Sequence, residues 1–133
     1  MLTVFGNGET LNVFAYGTLN DDDRLRDLLR MTEDEFAVIE KYPAVLHDFE
    51  KRQVIGAHYP AIIQSEGKQV QGFVIQCIPN HCIEYLDAYE AEGYLYRRKV
   101  VAVDVEHENC RTNIGAYTYV WAQGERTLGE VVP

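Results

Sequence analysis

The chain has 133 residues, 47% of them hydrophobic and 25% charged, which suits a single domain able to bury a core without disulfides or metal. Twelve basic against 21 acidic residues give a net charge of −9, and no basic cluster beyond Arg97-Arg98-Lys99 offsets it. That charge repels phosphate backbones and sets nucleic acid aside as a partner; it reads as a solubility feature.

No apolar run approaches the roughly 20 residues that a membrane span needs. Met1 to Phe14 has no basic leader region and carries Glu9, so it does not read as a secretory signal. Cys77, Cys82 and Cys110 are odd in number and too sparse for a disulfide framework, which points to a reducing, cytoplasmic setting. Without repeats or linkers, residues 1–133 form one domain, with a core over about 12–122 and a partly ordered tail over 123–133.

In chain order, Asn12 to Gly17 reads as a strand running into a tight turn at Gly17. Leu25, Leu28 and Leu29 mark one side of a helix begun by Asn20 and the Asp21-Asp22-Asp23 run, acids that suit a helix N-terminus. Thr32 and Glu35 have the spacing of a capping box, so a second short helix is expected before Pro43. From Ala44 onward the pattern turns to strands. Ala61 to Gln64 and Gln69 to Cys77 flank Ser65-Glu66-Gly67-Lys68, which reads as a hairpin connection. Pro79-Asn80 opens a third helix, ended by Gly93. Two further strands follow, Tyr96 to His107 with Val101, Val103 and Val105 on one face, and Asn113 to Trp121. Many strands and few helices argue against a doubly wound parallel sheet. An α+β fold is expected, a small mixed β-barrel of five to seven strands with two or three flanking helices and a mouth able to take a small ligand.

Ile83, Leu86 and Glu90 fall at i, i+3 and i+7, one face of the third helix. The two apolar members face the core, so Glu90 should carry a carboxylate inward. Such a group needs partners or a raised pKa, and that cost often marks chemistry. The competing reading is a helix-end carboxylate paired with Arg97 or Arg98. Tyr16-Gly17-Thr18-Leu19, between strand and helix, can present backbone N–H groups to an anion, or can simply let the chain bend. Tyr94 and Tyr96 either line a pocket or pack. Cys77, His81 and Cys82 lie close together but straddle a strand end and a helix start, and no second pair completes a tetrahedral site, so no metal is assigned. His47, His58 and His107 are isolated. There is no nucleophile elbow, phosphate loop or dinucleotide fingerprint.

Taken in order, Val13-Phe14-Ala15-Tyr16-Gly17-Thr18-Leu19, Tyr59-Pro60-Ala61-Ile62, Val70-Gln71-Gly72, Leu86-Asp87-Ala88-Tyr89-Glu90 and Tyr96-Arg97-Arg98 closely resemble the γ-glutamylcyclotransferase-like (AIG2-like) family over about Asn12 to Trp121. The resemblance implies a small mixed β-barrel with flanking helices and acyl transfer that cyclises a γ-glutamyl amine or amino acid to 5-oxoproline. It implies Glu90 as the proton acceptor and a substrate-binding loop at Tyr16, Gly17, Thr18 and Leu19. Tyr96 and Arg97 are the accompanying binding candidates, Arg97 as a holder of carboxylate. No cofactor is required. The family usually has Gly directly after the catalytic Glu, whereas this chain has Ala91. That departure bears on the local turn geometry, and it leaves a non-catalytic carboxylate-binding module on the same fold as the alternative.

Overall fold

The computed structural model describes residues 10–17, 19 and 21–132. Three sequence readings lie wholly or partly outside those residues: the first nine residues of the leader reading over Met1 to Phe14, Thr18 in the loop and Asn20 at the helix start. The elements are β1 (Thr10–Ala15), α1 (Asp22–Leu29), α2 (Glu33–Phe36), β2 (Glu40–Val54), β3 (Pro60–Pro79), α3 (Ile83–Tyr89), β4 (Tyr96–His107), β5 (Cys110–Trp121) and β6 (Leu128–Val131).

The six strands form one mixed sheet in the order β3-β1-β5-β4-β2-β6, and a further β2–β3 pairing joins its first five strands into a ring. The neighbours are antiparallel except β1 and β5, which run parallel through Val13 and Tyr117. The expected mixed sheet with a few flanking helices is therefore present, with barrel-like closure.

Strand alternation divides the apolar residues between two cores. Phe14, Leu46, Ile62, Val74, Val103 and Ala116, drawn from all five ring strands, fill the inside. Leu11, Val13 and Ala15 of β1 join Leu25 and Leu29 of α1, Leu86 of α3, and Tyr119 and Trp121 of β5 on the side the helices cover. Leu86 is fully buried, and removing such a side chain from water contributes about 1.5–3 kcal/mol.

The helix starts follow the sequence signals. Asp21 caps α1 by accepting from the backbone N–H of Asp23 and Arg24, and Thr32 with Glu35 forms the reciprocal capping box of α2.

Three expectations are corrected. Ser65-Glu66-Gly67-Lys68 is not a hairpin turn but a bulge inside the continuous β3: His47 pairs with Gln69 and Phe49 with Gln64, so four residues face Asp48 alone. Asp48 (φ 66°) stabilises the bulge by accepting from the Gly67 backbone N–H at 3.0 Å. The chain reverses instead between Val54 and Pro60, where Gly56 takes a φ of 79°. The expected tail includes a 3-10 turn at Glu125–Thr127 and then β6, which pairs with β2 and buries Leu128. The third helix ends at Tyr89 rather than at Gly93, because the chain turns into the left-handed region at Ala91. Among the described residues, no helix is long and apolar enough to cross a membrane.

Candidate active site

Helix α3 ends in a Schellman arrangement. The Glu92 N–H bonds back to the Asp87 carbonyl and the Ala91 N–H to that of Ala88, with Ala91 in the left-handed conformation at φ 50°. Glycine usually occupies this position because it has no Cβ to clash. The alanine is accommodated with the turn geometry intact, so the departure noted in the sequence does not displace the preceding residue.

That preceding residue is Glu90, the C-cap of α3. It lines a cavity of about 520 Å³ at the end of the ring where β1 runs into the Gly17 bend. Tyr16, Gly17 and Leu19 come from the bend, Glu90 from α3, and Tyr96 from the start of β4. The structure thus brings together five of the seven candidate residues.

Glu90 sits half-buried against aromatic surface, and burial alone raises its carboxyl from the ordinary range to about 7. No hydrogen bond or ion pair to its carboxylate occurs among the described residues. The competing reading of Glu90 as an ion-paired helix end therefore fails. The guanidinium of Arg98 goes to Asp87 instead, and it stacks over the Tyr117 ring at 5.1 Å.

Three tyrosines line the cavity together with Glu90, and the hydroxyl of each is already engaged. Tyr16 donates to the Tyr119 carbonyl at 2.6 Å, Tyr96 to the Pro60 carbonyl at 2.9 Å, and Tyr119 to Asp87 Oδ1 at 2.7 Å. Burial, above all, pushes all three well above the usual tyrosine range, helped by the Glu90 charge at Tyr96 and by the hydrogen bond to Asp87 at Tyr119. They act as neutral walls of low polarity, which is the environment that keeps Glu90 basic.

Arg97 is a correction. It is exposed and does not line the cavity. Neighbouring residues of a strand point to opposite faces, so with Tyr96 turned inward Arg97 turns out and Arg98 turns back in. Tyr94 neither lines the cavity nor packs; it is 68% exposed. Cys82 is buried with its Sγ on the Leu29 carbonyl at 3.8 Å, while Cys77 is half-buried at the end of β3. Among the described residues there is no group of three or more side chains able to hold a metal.

The cavity also recruits residues that sequence reasoning did not single out as site residues. Arg24 and Tyr89 meet across α1 and α3, Nη1 donating to the Tyr89 hydroxyl at 3.0 Å. His58 and Tyr59 come from the β2–β3 turn, and Tyr119 from β5. Tyr59 and Tyr89 each lay inside a quoted motif. Arg24 gave no such signal.

Residues 13–132 match the family described as gamma-glutamyl cyclotransferase, AIG2-like. AIG2-like protein A of Arabidopsis thaliana is 33% identical over 110 residues, which cover 83% of this chain and 61% of that protein. The chain thus spans about three-fifths of that relative's length. A solution structure of an Arabidopsis thaliana protein superposes with a TM-score of 0.74 at 29% identity, covering 94% of this chain and 78% of that one. A solved gamma-glutamyl cyclotransferase shares the fold, with a TM-score of 0.66 at 19% identity over 92% of this chain and 70% of its own. The sequence match across nearly all of the ring, with the cavity that the ring carries, places this chain in the gamma-glutamyl cyclotransferase, AIG2-like family.

Proposed function

We propose that the protein is a γ-glutamyl cyclotransferase acting on a γ-glutamyl amine or amino acid. The reaction is an internal aminolysis. The α-amine of the γ-glutamyl group attacks its own γ-carbonyl carbon, the new C–N bond closes a five-membered ring, and the original amide C–N bond breaks. The products are 5-oxoproline and a free amine.

Two obstacles limit this reaction: the amine arrives as an ammonium, and the carbonyl oxygen becomes an oxyanion. Glu90 takes a proton from the ammonium before attack and passes it to the leaving nitrogen as the amide C–N bond breaks; the second proton shed by the ring nitrogen departs on the released amine, which leaves as an ammonium. A carboxylate of ordinary pKa, about 4.3, would be too weak a base, whereas one tuned near neutrality is efficient. Backbone donors of the Tyr16–Leu19 bend hold the substrate's charged oxygens, and losing one oxyanion donor costs about 3–4 kcal/mol in comparable sites. The cavity holds amine against carbonyl, which supplies the entropic part of the rate gain. Residues of this chain suffice for each step. A reducing, cytoplasmic setting suits Cys77, Cys82 and Cys110, which are all free thiols.

The observation that carries the reading is Glu90, an unpaired acid raised to about 7 in the same cavity as the Gly17 bend. The experiment is a 5-oxoproline assay on purified protein with a panel of γ-glutamyl compounds. Turnover by the wild type, with at least a hundredfold loss in a folded Glu90→Gln variant, is expected for a general base. Full activity in that variant would remove Glu90 from the chemistry. Binding of 5-oxoproline without turnover of any compound would make the cavity a carboxylate-binding module instead.

A further inference from the structure

The cavity is graded from a dry end to a wet one. At the dry end, beside Glu90, Tyr119 is 3% exposed and Tyr96 5%; at the mouth, Tyr59 is 37% and Tyr89 39% exposed. The reacting γ-glutamyl group needs the base and so belongs at the dry end. Whatever hangs from the scissile amide then projects toward the mouth.

The mouth is cationic. Its fixed cation is Arg24, while Glu90 is the one acid among the described lining residues. In a chain of net charge −9 such a site stands out. The Arg24 guanidinium forms no ion pair with a carboxylate among the described residues. Asp21, the capping acid of its helix, acts on it without forming an ion pair, because the Asp21 carboxylate is turned to the Asp23 and Arg24 backbone N–H groups. The bond from Nη1 to the Tyr89 hydroxyl fixes the side chain against α3, next in sequence to the base, and leaves most of its fork of donors for a ligand.

We propose that Arg24 is a specificity residue that binds the carboxylate of the leaving group, so that the substrate is a γ-glutamyl amino acid or peptide rather than a γ-glutamyl derivative of a simple or cationic amine. The inference rests on the cyclotransferase reading for its orientation of the substrate. A bidentate bond between guanidinium and carboxylate supplies direction as well as strength. A site built around such a bond discriminates against an analogue that lacks the charge.

The test compares γ-glutamyl-alanine with γ-glutamyl-alaninamide, which differ only in carboxylate against amide on the leaving group. The wild type is expected to favour the first by about tenfold in kcat/KM, carried mainly by KM, the size of one exposed charge-assisted contact. In Arg24→Gln the ratio falls to within about twofold of unity, and Arg24→Lys is intermediate. A ratio unmoved in Arg24→Gln overturns the proposal and leaves the cyclotransferase reading standing. Such a result includes an equal loss on both compounds, which would place Arg24 on the glutamyl carboxylate instead. Calorimetric affinities of the same two compounds separate the two ideas. An Arg24-dependent preference in binding without any turnover sinks the cyclotransferase reading, and with it the assignment of Arg24 to a leaving group, while keeping Arg24 as a carboxylate binder at the mouth. Absence of both binding and turnover sinks both.

Discussion

Asp87 and Glu90 stand three residues apart at the end of one helix, and the fold treats them in opposite ways. Asp87 receives the Arg98 guanidinium and the Tyr119 hydroxyl. Glu90 receives neither and meets the walls of the cavity. The pairing of the first acid isolates the second, because the one guanidinium of β4 turned toward the helix is already engaged. Both carboxylates arise from the same short motif, so their different chemistry comes from the strands packed beside the helix.

This isolation predicts a pH dependence. Burial raises the folded-state Glu90 carboxyl from 4.5 to about 7, so the native protein holds a proton that the unfolded chain has released. Stability from this group is complete below about 4.5 and is lost as pH rises through about 7. Glutamine keeps the shape and never ionises. The stability of Glu90→Gln relative to wild type should therefore grow by about 2–3 kcal/mol between pH 4 and pH 8, measured by urea unfolding at each pH. A difference that stays constant across that range would contradict the raised pKa. In the 5-oxoproline assay, wild-type kcat/KM should fall as pH drops below about 7, because the base must be ionised.

The Schellman turn after Glu90 carries a second prediction. Ala91 sits at φ 50°, where a Cβ is strained by roughly 1–2 kcal/mol. Glycine relieves that strain but loses more backbone freedom on folding, about 0.5–1 kcal/mol. Ala91→Gly should be net stabilising by about 0.5–1 kcal/mol, a rise of a few degrees in Tm by calorimetry. The Glu92-to-Asp87 and Ala91-to-Ala88 bonds already hold the turn, so Glu90 should keep its place and its pKa. A destabilised glycine variant would show that the alanine side chain makes contacts that outweigh its strain.

What could be read from the residues, and what could not, divides by range. Glu90 was legible because helical spacing ties it to Ile83 and Leu86, a relation within one element. The capping box of α2 and the alternation of Val101, Val103 and Val105 were legible for the same reason. The Ser65–Lys68 segment was not. It has the composition of a turn, and only the Asp48 carboxylate on a neighbouring strand lets β3 run through it as a bulge. Leu128 likewise finds its place only against β2. Arg97 was favoured over Arg98 without knowing which of two adjacent positions β4 turns toward the helix. Arg24 was invisible because its meaning comes from α1 lying against α3, a contact between elements far apart in sequence.

Gly72 ties this long-range packing to the site. A Cβ built there would lie 2.4 Å from the Ala15 carbonyl oxygen and 2.9 Å from the Phe14 ring. The ring is a side chain that can shift, but the carbonyl belongs to the backbone of β1 just before the Tyr16-Gly17 bend. β3 can approach β1 this closely only without a side chain at position 72, where Val74 pairs with Phe14 and Phe73 with Ala15. Gly72→Ala must therefore push β1 outward. The expected cost is about 3 kcal/mol, at the upper end for overpacking, read as a lower urea midpoint. Because the displaced strand carries the bend, a folded Gly72→Ala protein should also bind 5-oxoproline at least several-fold more weakly, although position 72 does not line that cavity. A variant that is destabilised yet binds as the wild type does would mean that the bend holds its shape independently of where β1 lies.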